Sequence, residues 1–369
     1  MIVRASAVMV SGEISLRAAG AGRPTVTVRP PGAVSANAVS KARGCPAAST
    51  TSGVRMPTQT RDPRATPDRP LETEYRPRVA IDARRAIAYQ QRGAHDPSHT
   101  VHEGIIWRVS RTPEGVATLA IRVERDRVRG AAWGPGADWA LQQLPRLCGA
   151  ADDPDGFEAD RHPLIADVHR RHPALRIGRT DLVFDALVSA IFEQKVTGLQ
   201  AFGAWRMILT WCGERAPGPT PRPMFAPPAD WRLIPSWTWH RAGLEPPQAK
   251  TIVSAAARRT SIERAAASAT DGDARDRVFT SLPGVGVWTS AETRIRAFGD
   301  ADAVSVGDYH LCHQVGYALT GRRVDDDGMC ALLEPWRGHR QRVIRLIGLS
   351  GAVEPRRGPR LAPEDHRGR

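Results

Sequence analysis

The segment Leu-Pro-Gly-Val-Gly-Val-Trp-Thr at residues 282–289 constrains the fold more than any other part of the chain. Pro283 ends the preceding predicted helix, because its nitrogen has no hydrogen to donate to the helical ladder. Gly284 and Gly286 permit positive φ and leave the backbone unshielded. A second predicted helix covers 288–298, and its first N–H groups lack partners within the helix. This turn therefore indicates a phosphate site, although packing alone would also favour glycine between two helices.

A lone carboxylate follows the hairpin at Asp308, at the start of a predicted helix over 308–319. The commonest use of aspartate at such a position is to cap the helix. That use does not exclude chemistry, because a capping carboxylate at the edge of a cleft is rigidly placed and ionised. Asp308 lies 22 residues after Gly286, and this pairing of a phosphate site with a carboxylate favours a chemical role.

Aromatic and polar residues beside these two elements are candidates for contact with a nucleic acid. Trp288 and Tyr309 could stack on a base turned out of a duplex, although either could instead belong to the core. A predicted break at 193–198 separates two apolar helices. Within this break, Gln194 offers both a donor and an acceptor to a DNA groove, and an ordinary interhelical turn is the alternative.

Charge and cysteine content narrow the class of partner. The 369-residue chain carries a net charge of +13, which favours an anionic partner such as nucleic acid. Its five cysteines form no CxxC pair, so we predict no metal site and a reducing, cytoplasmic location. No Gly-rich nucleotide motif occurs, so no cofactor is predicted. No apolar run approaches the roughly 20 residues of a membrane span, which predicts a soluble protein without membrane contact.

The pattern along the chain predicts an α+β fold that is mainly α-helical. Residues 1–75 are rich in Ala, Pro, Ser, Thr and Arg and contain no Trp or Phe, which predicts a disordered tail. Alternating apolar and polar residues predict a small antiparallel β domain over 76–150. Helical periodicity predicts a helical domain over 151–353. A Pro- and Arg-rich stretch predicts a second disordered tail over 354–369.

Together these motifs resemble the helix-hairpin-helix DNA glycosylase superfamily, whose signature is an LPGVG-type hairpin followed by a catalytic aspartate. Within it, the chain is most similar to the DNA-3-methyladenine glycosylase II branch. The similarity lies in Gly-Val-Gly-Val-Trp-Thr at 284–289, Asp308-Tyr309, Ala-Ile-Phe-Glu-Gln at 190–194, and Gly243-Leu244 with Gln-Ala-Lys at 248–250. The resemblance implies a helical glycosylase domain preceded by a small sheet.

The resemblance also implies a role for each candidate residue. Asp308 stabilises the positively charged sugar, or steers the attacking water, as the bond to the base breaks. The residues that hold the DNA phosphate, together with a monovalent cation, are Gly284, Val285, Gly286 and Thr289. The residues that line the base pocket are Trp288, Tyr309 and Glu292. The residues that probe the DNA groove are Gln194 and Lys195.

Three departures from the superfamily pattern bear on the implied activity. Bifunctional members carry a lysine shortly before the hairpin, and residues 260–283 contain none. We therefore expect a monofunctional glycosylase that removes alkylated purines in base-excision repair, acting as a monomer on damaged double-stranded DNA at the bacterial nucleoid. Glu292 stands where the branch has an aromatic residue, and Lys195 replaces an apolar wedge. Two alternatives therefore remain: a glycosylase for another damaged base, or a DNA-binding protein without enzymatic activity.

Overall fold

The computed structural model describes residues 69–354, which begin with a five-stranded antiparallel sheet. Its strands are β1 (Leu71–Tyr75), β2 (His99–His102), β3 (Ile105–Thr112), β4 (Gly115–Val123) and β5 (Val128–Trp133). Their spatial order is β1-β5-β4-β3-β2, and the register pairs Leu119 with Ala132 and Trp107 with Ala120. Strands β2 to β5 therefore form a meander, and β1 adds to its far edge.

Strand β1 corrects the predicted extent of the amino-terminal tail. Residues 71–75, which composition assigned to a disordered segment, pair with β5 along their whole length. Glu74 also forms an ion pair with Arg127, with 3.0 Å between Oε2 and Nη1. An edge strand is held mainly by backbone hydrogen bonds, so it needs few of the apolar residues on which the composition argument depends. The rest of the predicted tails, residues 1–68 and 355–369, lies outside the described residues.

Helices make up most of the remainder, as the sequence predicts. They are α1 (Ala83–Ala88), α2 (Ala137–Leu147), α3 (Pro163–Arg171), α4 (Val183–Phe192), α5 (Gly198–Cys212), α6 (Ser236–Ala242), α7 (Pro246–Ala257), α8 (Arg259–Ser268), α9 (Gly272–Thr280), α10 (Val287–Phe298), α11 (Leu311–Thr320), α12 (Asp326–Leu333) and α13 (Arg340–Ser350). Helix α2 covers the sheet, where Leu144 packs with Ile106 and Ile121. Within residues 69–354, no helix has the length and apolar character needed to cross a membrane.

Helix α4 forms the centre of the helical part, and all of its residues are buried. A helix that is apolar all round must be enclosed by other elements, and α5, α7 and α10 pack around this one. At its end, the ring of Phe192 is edge-on to Trp205, which stacks on Trp231 with ring centroids 6.2 Å apart. This aromatic stack fixes the end of α4 and the position of residues 193–195, which follow it.

Near the hairpin, the helix boundaries follow the predictions with one exception. The predicted break at 193–198 is present between α4 and α5, and α10 begins one residue before its predicted start. The exception is α11, which begins at Leu311 and not at Asp308. The reason is a turn before the helix, in which the N–H of Asp308 donates to the carbonyl of Ser305 at 3.2 Å.

Candidate functional site

The turn between α9 and α10 has the hairpin geometry that the sequence predicts. The N–H of Val285 donates to the carbonyl of Leu282 at 3.0 Å, which closes the turn. Gly284 has a φ of +84°, and a side chain there would collide with the hydroxyl of Thr251. Gly286 has a φ of −101°, and a Cβ there would meet nothing within 4 Å. The fold therefore requires glycine at 284, whereas at 286 glycine keeps the backbone open to an approaching group.

The first turn of α10 presents unpaired backbone donors. Gly286 precedes the helix and has no side chain with which to cap it. The N–H of Ser290 donates to the carbonyl of Gly286 at 3.0 Å, and no acceptor in residues 69–354 takes the N–H groups of residues 287–289. Such donors at a helix N-terminus suit an anion. Val285 was predicted to share this role, but its N–H is already engaged in the turn and cannot also hold a phosphate.

Gln194 joins the hairpin to the loop that follows α4. Its Nε2 donates to the carbonyl of Gly284 at 2.9 Å and to Oγ1 of Thr289 at 2.8 Å. The sequence did not predict this contact, which leaves Oε1 as the atom of Gln194 suited to groove probing. The next residue, Lys195, is exposed and has a φ of +55°, a backbone conformation that residues other than glycine rarely adopt. The groove-probing roles of both residues stay predictions.

A cavity of about 570 Å³ opens between the hairpin and two other segments. These segments are the loop after α4 and the first turns of α7. The lining residues are Glu193, Gln194, Lys195, Glu245, Pro247, Gln248, Thr251, Gly284, Gly286, Val287, Trp288 and Thr289. The volume is in the range of pockets that hold small molecules. Five of the predicted phosphate-binding and groove-probing residues thus meet a predicted base-pocket residue, Trp288, in one cavity.

Asp308 is buried beside this cavity, with only 2% of its surface exposed. Its Oδ1 accepts hydrogen bonds from the N–H groups of His310 at 2.8 Å and Leu311 at 3.0 Å. Its Oδ2 accepts a third from Nε1 of Trp288 at 3.1 Å. Burial raises the pKa of Asp308, and Glu292 raises it further, whereas the three donors oppose the rise. The side chain caps α11 as the sequence predicts, although the helix itself begins three residues later.

The two predicted stacking residues differ in their surroundings. Trp288 is buried, lines the cavity and donates to Asp308, so it connects the cavity to the carboxylate. Tyr309 is 46% exposed and lies edge-on to His310, with ring centroids 4.9 Å apart. Tyr309 does not line this cavity. Its position next to Asp308 leaves its ring accessible to a ligand, and its predicted contact with a base stays a prediction.

Glu292 was predicted to line the base pocket, but the structure places it in a buried polar cluster. Its Oε1 accepts a hydrogen bond from the hydroxyl of Ser305 at 2.6 Å, and its Oε2 lies 3.3 Å from Nη2 of Arg296. It is not among the residues that line the cavity. The cause is the helical spacing of Glu292 and Arg296, four residues apart on α10, which directs both side chains toward the same neighbours. Glu292 therefore affects the site through its charge, which raises the pKa of Glu193 and of Asp308.

Glu193 is the site residue that sequence reasoning missed. It follows α4, is 4% exposed and lines the cavity. Its Oε1 lies 3.6 Å from Nη2 of Arg296. Burial raises the pKa of Glu193 to about 7; Arg296 opposes that rise, and Glu292 and Asp308 add to it. The available signal was an acidic residue directly after a helix whose other positions are almost all apolar.

The cation predicted at the hairpin stays a prediction. The carbonyls of Leu282 and Gly284 each accept a hydrogen bond, from Val285 and Gln194 respectively, and each oxygen has a second lone pair for a ligand. Elsewhere in residues 69–354, no group of three His, Cys, Asp or Glu side chains is arranged to hold a metal ion.

Comparison with known proteins finds the fold in solved structures. No protein-family model and no curated protein matches the chain. The 3-methyladenine DNA-glycosylase from Archaeoglobus fulgidus superposes with a TM-score of 0.63 at 15% identity, over 75% of this chain and 98% of that one. The Clostridium acetobutylicum 8-oxoguanine glycosylase/lyase, in complex with double-stranded DNA containing cytosine opposite 8-oxoG, superposes with a TM-score of 0.58 at 13% identity, over 76% of this chain and 97% of that one.

The chain has the fold of these DNA glycosylases. The fold that the resemblance implied, a small sheet followed by a helical part in the predicted α+β class, is thus confirmed. The similarity extends over nearly the whole length of both solved enzymes, so it includes the sheet as well as the helices. The two enzymes are named for different damaged bases, and the fold is common to both.

Proposed function

We propose that this protein is a monofunctional DNA glycosylase that removes alkylated purines. The observation that carries the proposal is the 3.1 Å hydrogen bond from Trp288 to Asp308. This bond links a buried carboxylate to the same helix whose first turn presents open N–H donors. A phosphate held at that turn would place a nucleotide of the same strand near the cavity that Trp288 lines.

Backbone donors and two lysines support DNA as the partner. Only three lysines occur in the chain, and two of them, Lys195 and Lys250, flank the cavity segments. Lys195 lines the cavity itself, and Lys250 is the exposed neighbour of Thr251, which also lines it. Positive charge beside helix N–H groups favours a phosphate backbone, with an affinity that falls as salt rises. We propose that a monomer in the bacterial cytoplasm binds damaged double-stranded DNA through this surface.

The proposed chemistry needs one carboxylate and no covalent amine. As the bond between base and sugar breaks, positive charge develops on the sugar. A fixed carboxylate therefore stabilises the transition state more than it stabilises the ground state. Asp308 is held by three donors, so little reorganisation accompanies the reaction. No lysine precedes the hairpin in residues 260–283, which supports hydrolysis without strand cleavage.

Charge in the site supports alkylated purines as the substrate. The carboxyl groups of Asp308 and Glu292 bring negative charge close to the cavity, where both act on Glu193. Such surroundings favour a base that carries positive charge, and the indole of Trp288 favours it further if the base stacks on its face. Alkylation at a purine ring nitrogen produces such a base and also makes it a better leaving group. Turning the base out of the duplex costs least at a damaged pair.

The test is release of free bases from methylated duplex DNA. We expect the wild-type protein to release methylated purines and Asp308→Asn to lose at least about 100-fold in rate, because the charge on the sugar is no longer opposed. Asp325→Asn is the matched control, since Asp325 caps α12 through the N–H of Gly328 at 2.9 Å and lies in the same part of the chain. It should keep the wild-type rate.

Other outcomes would favour the alternatives. Salt-dependent duplex binding that is equal in wild-type and Asp308→Asn protein, without abasic product, would show a DNA-binding protein that is not an enzyme. Release of a different base from a panel of lesion-bearing duplexes, with methylated purines left in place, would show a glycosylase of another specificity.

A further inference from the structure

Glu193 lies where an ionised carboxylate is energetically unfavourable. It lies at the carboxyl end of α4, where the helix dipole opposes negative charge, and only 4% of its surface is exposed. Its Oε1 is buried and has no hydrogen-bond donor within residues 69–354. The side chain nevertheless lines the 570 Å³ cavity that holds Trp288 and the hairpin. A carboxyl group in such surroundings favours its protonated form.

Charged groups of both signs surround Glu193. Glu292 and Asp308 act on it as like charges, and Arg296 and Arg92 as opposite charges. Tyr89 also interacts with it, and Lys195 and Glu245 line the same cavity. Arg296 is shared, because its Nη2 lies closer to Glu292, at 3.3 Å, than to Glu193, at 3.6 Å. One guanidinium thus serves two carboxyl groups.

We propose that Glu193 is the proton donor to the departing base, a role that rests on the proposed glycosylase function. Two neighbouring carboxyl groups, one lining the cavity and one buried beside it, then have separate tasks. Asp308, held by three donors, is the ionised group that stabilises the sugar. Glu193, without a hydrogen-bond donor to its Oε1, is the neutral acid. Enzymes that use paired carboxyl groups assign acid and base roles through such differences in surroundings.

The proposed step balances as follows in atoms and charge. The electron pair of the bond between C1′ and the base nitrogen leaves with the base, and the Glu193 proton passes to a ring nitrogen of that base. Water adds its oxygen to C1′, and the proton that it loses passes to Asp308. Exchange with solvent then returns a proton to Glu193 and removes the one on Asp308. The products are the free base and an abasic sugar.

This role extends the substrate class to uncharged damaged purines. A cationic alkylated base leaves as a neutral molecule and needs no proton, whereas an uncharged base would leave as an anion unless it receives one. Burial raises the pKa of Glu193 to about 7, so the proton is present below that pH and lost above it. Excision of an uncharged base should therefore decline above about pH 7, and excision of a cationic base should not.

The experiment compares two duplexes, one with 7-methylguanine and one with hypoxanthine, in single-turnover reactions at a series of pH values. For the wild-type protein, we expect the hypoxanthine rate to fall about tenfold per pH unit above about pH 7, relative to the 7-methylguanine rate. Glu193→Gln should lose about 100-fold on hypoxanthine below about pH 7, and its hypoxanthine rate should not decline further above that pH. Its loss on 7-methylguanine should be at least about tenfold smaller.

Several results would overturn the inference. Equal losses on both duplexes in Glu193→Gln would indicate a purely structural role, as would a wild-type pH profile in that variant. Should Glu193→Gln fail to fold in a thermal melt, the wild-type comparison of the two duplexes still decides, and parallel profiles would refute the proposal. Release of 7-methylguanine but not hypoxanthine at any pH would contradict this inference alone. Release of neither base, nor of any other base, would contradict the proposed function itself.

Discussion

The first turn of α10 and the middle of the same helix present opposite chemical surfaces. The first turn offers N–H donors of residues 287–289 beside a glycine that shields nothing. One to two turns later, Glu292 and Arg296 face a buried cluster that includes Glu193. Holding a phosphate requires exposed donors, whereas shifting the pKa of a carboxyl group requires burial. One rigid helix meets both requirements because the residues that serve them lie at different positions along its length.

The largest expected effect comes from removing the guanidinium that lies between Glu193 and Glu292 in the buried cluster. Arg296→Met leaves Glu193 and Glu292 without their shared cation, so we expect the free energy of unfolding to fall by about 3–5 kcal/mol. Arg337→Met is the control, because Arg337 forms an exposed pair with Glu334, and its loss should change stability by less than about 0.5 kcal/mol. Urea denaturation measures both, and equal midpoints for the two variants would contradict the importance of the cluster.

The two hairpin glycines provide the next test, since they separate fold from function. Gly284→Ala places a side chain at positive φ and against Thr251, so we expect a loss of about 2 kcal/mol in unfolding free energy. Gly286→Ala meets no neighbour, so its stability should stay at the wild-type value. Its methyl group should instead weaken duplex binding by about tenfold, because it blocks approach to the N–H groups. Wild-type binding by Gly286→Ala, measured by fluorescence anisotropy, would argue against a phosphate at this turn.

A smaller effect is expected where the two surfaces meet, at Trp288. Trp288→Phe keeps a ring at the cavity but removes the hydrogen bond to Asp308, so we expect about a tenfold lower rate of base release. The lost donor had lowered the pKa of Asp308, so that pKa should rise and the acidic limb of the pH–rate profile should shift to higher pH. Trp237→Phe, at an exposed tryptophan on α6, should change neither quantity. An unshifted acidic limb would show that the hydrogen bond from Trp288 does not lower the pKa of Asp308.

A separate expected effect is the pH dependence of stability that Glu193 causes. The folded-state pKa of about 7 lies above the ordinary value of 4.5, so the folded protein holds this proton more strongly than the unfolded chain. The stabilising contribution is full below about pH 4.5 and is lost as pH rises through about 7. Relative to wild type, Glu193→Gln should therefore gain about 3 kcal/mol across this window, at about 1.4 kcal/mol per pKa unit. A constant difference between the two unfolding curves would show that Glu193 titrates normally.

Local chemistry accounts for what the sequence predicts well. The proline and glycines of the hairpin act through their own backbone preferences, so the turn, the break at 193–198 and the start of α10 follow from neighbouring residues. Asp308 was recognisable as a cap for the same reason. Its helix starts later than predicted because a turn with Ser305 intervenes, and periodicity alone cannot detect such a turn.

Long-range contacts account for what the sequence does not predict. The cluster around Arg296 combines Tyr89, Glu193 and Glu292 with Ser305, residues from four separate segments whose approach depends on the whole fold. No spacing rule connects them. Glu292 was therefore assigned to the base pocket, Glu193 was overlooked, and the amide contacts of Gln194 with the hairpin went unpredicted.

Three consecutive residues after α4 have three different surroundings. Glu193 points its acid into the buried cluster, Gln194 is bonded to the hairpin, and Lys195 extends to solvent. Under the proposed function, substitution at the first position changes which lesions are removed, while the second residue still anchors the loop. Lesion preference would then diverge between related chains without loss of the proposed DNA contact, whereas a one-residue deletion here would displace all three residues at once.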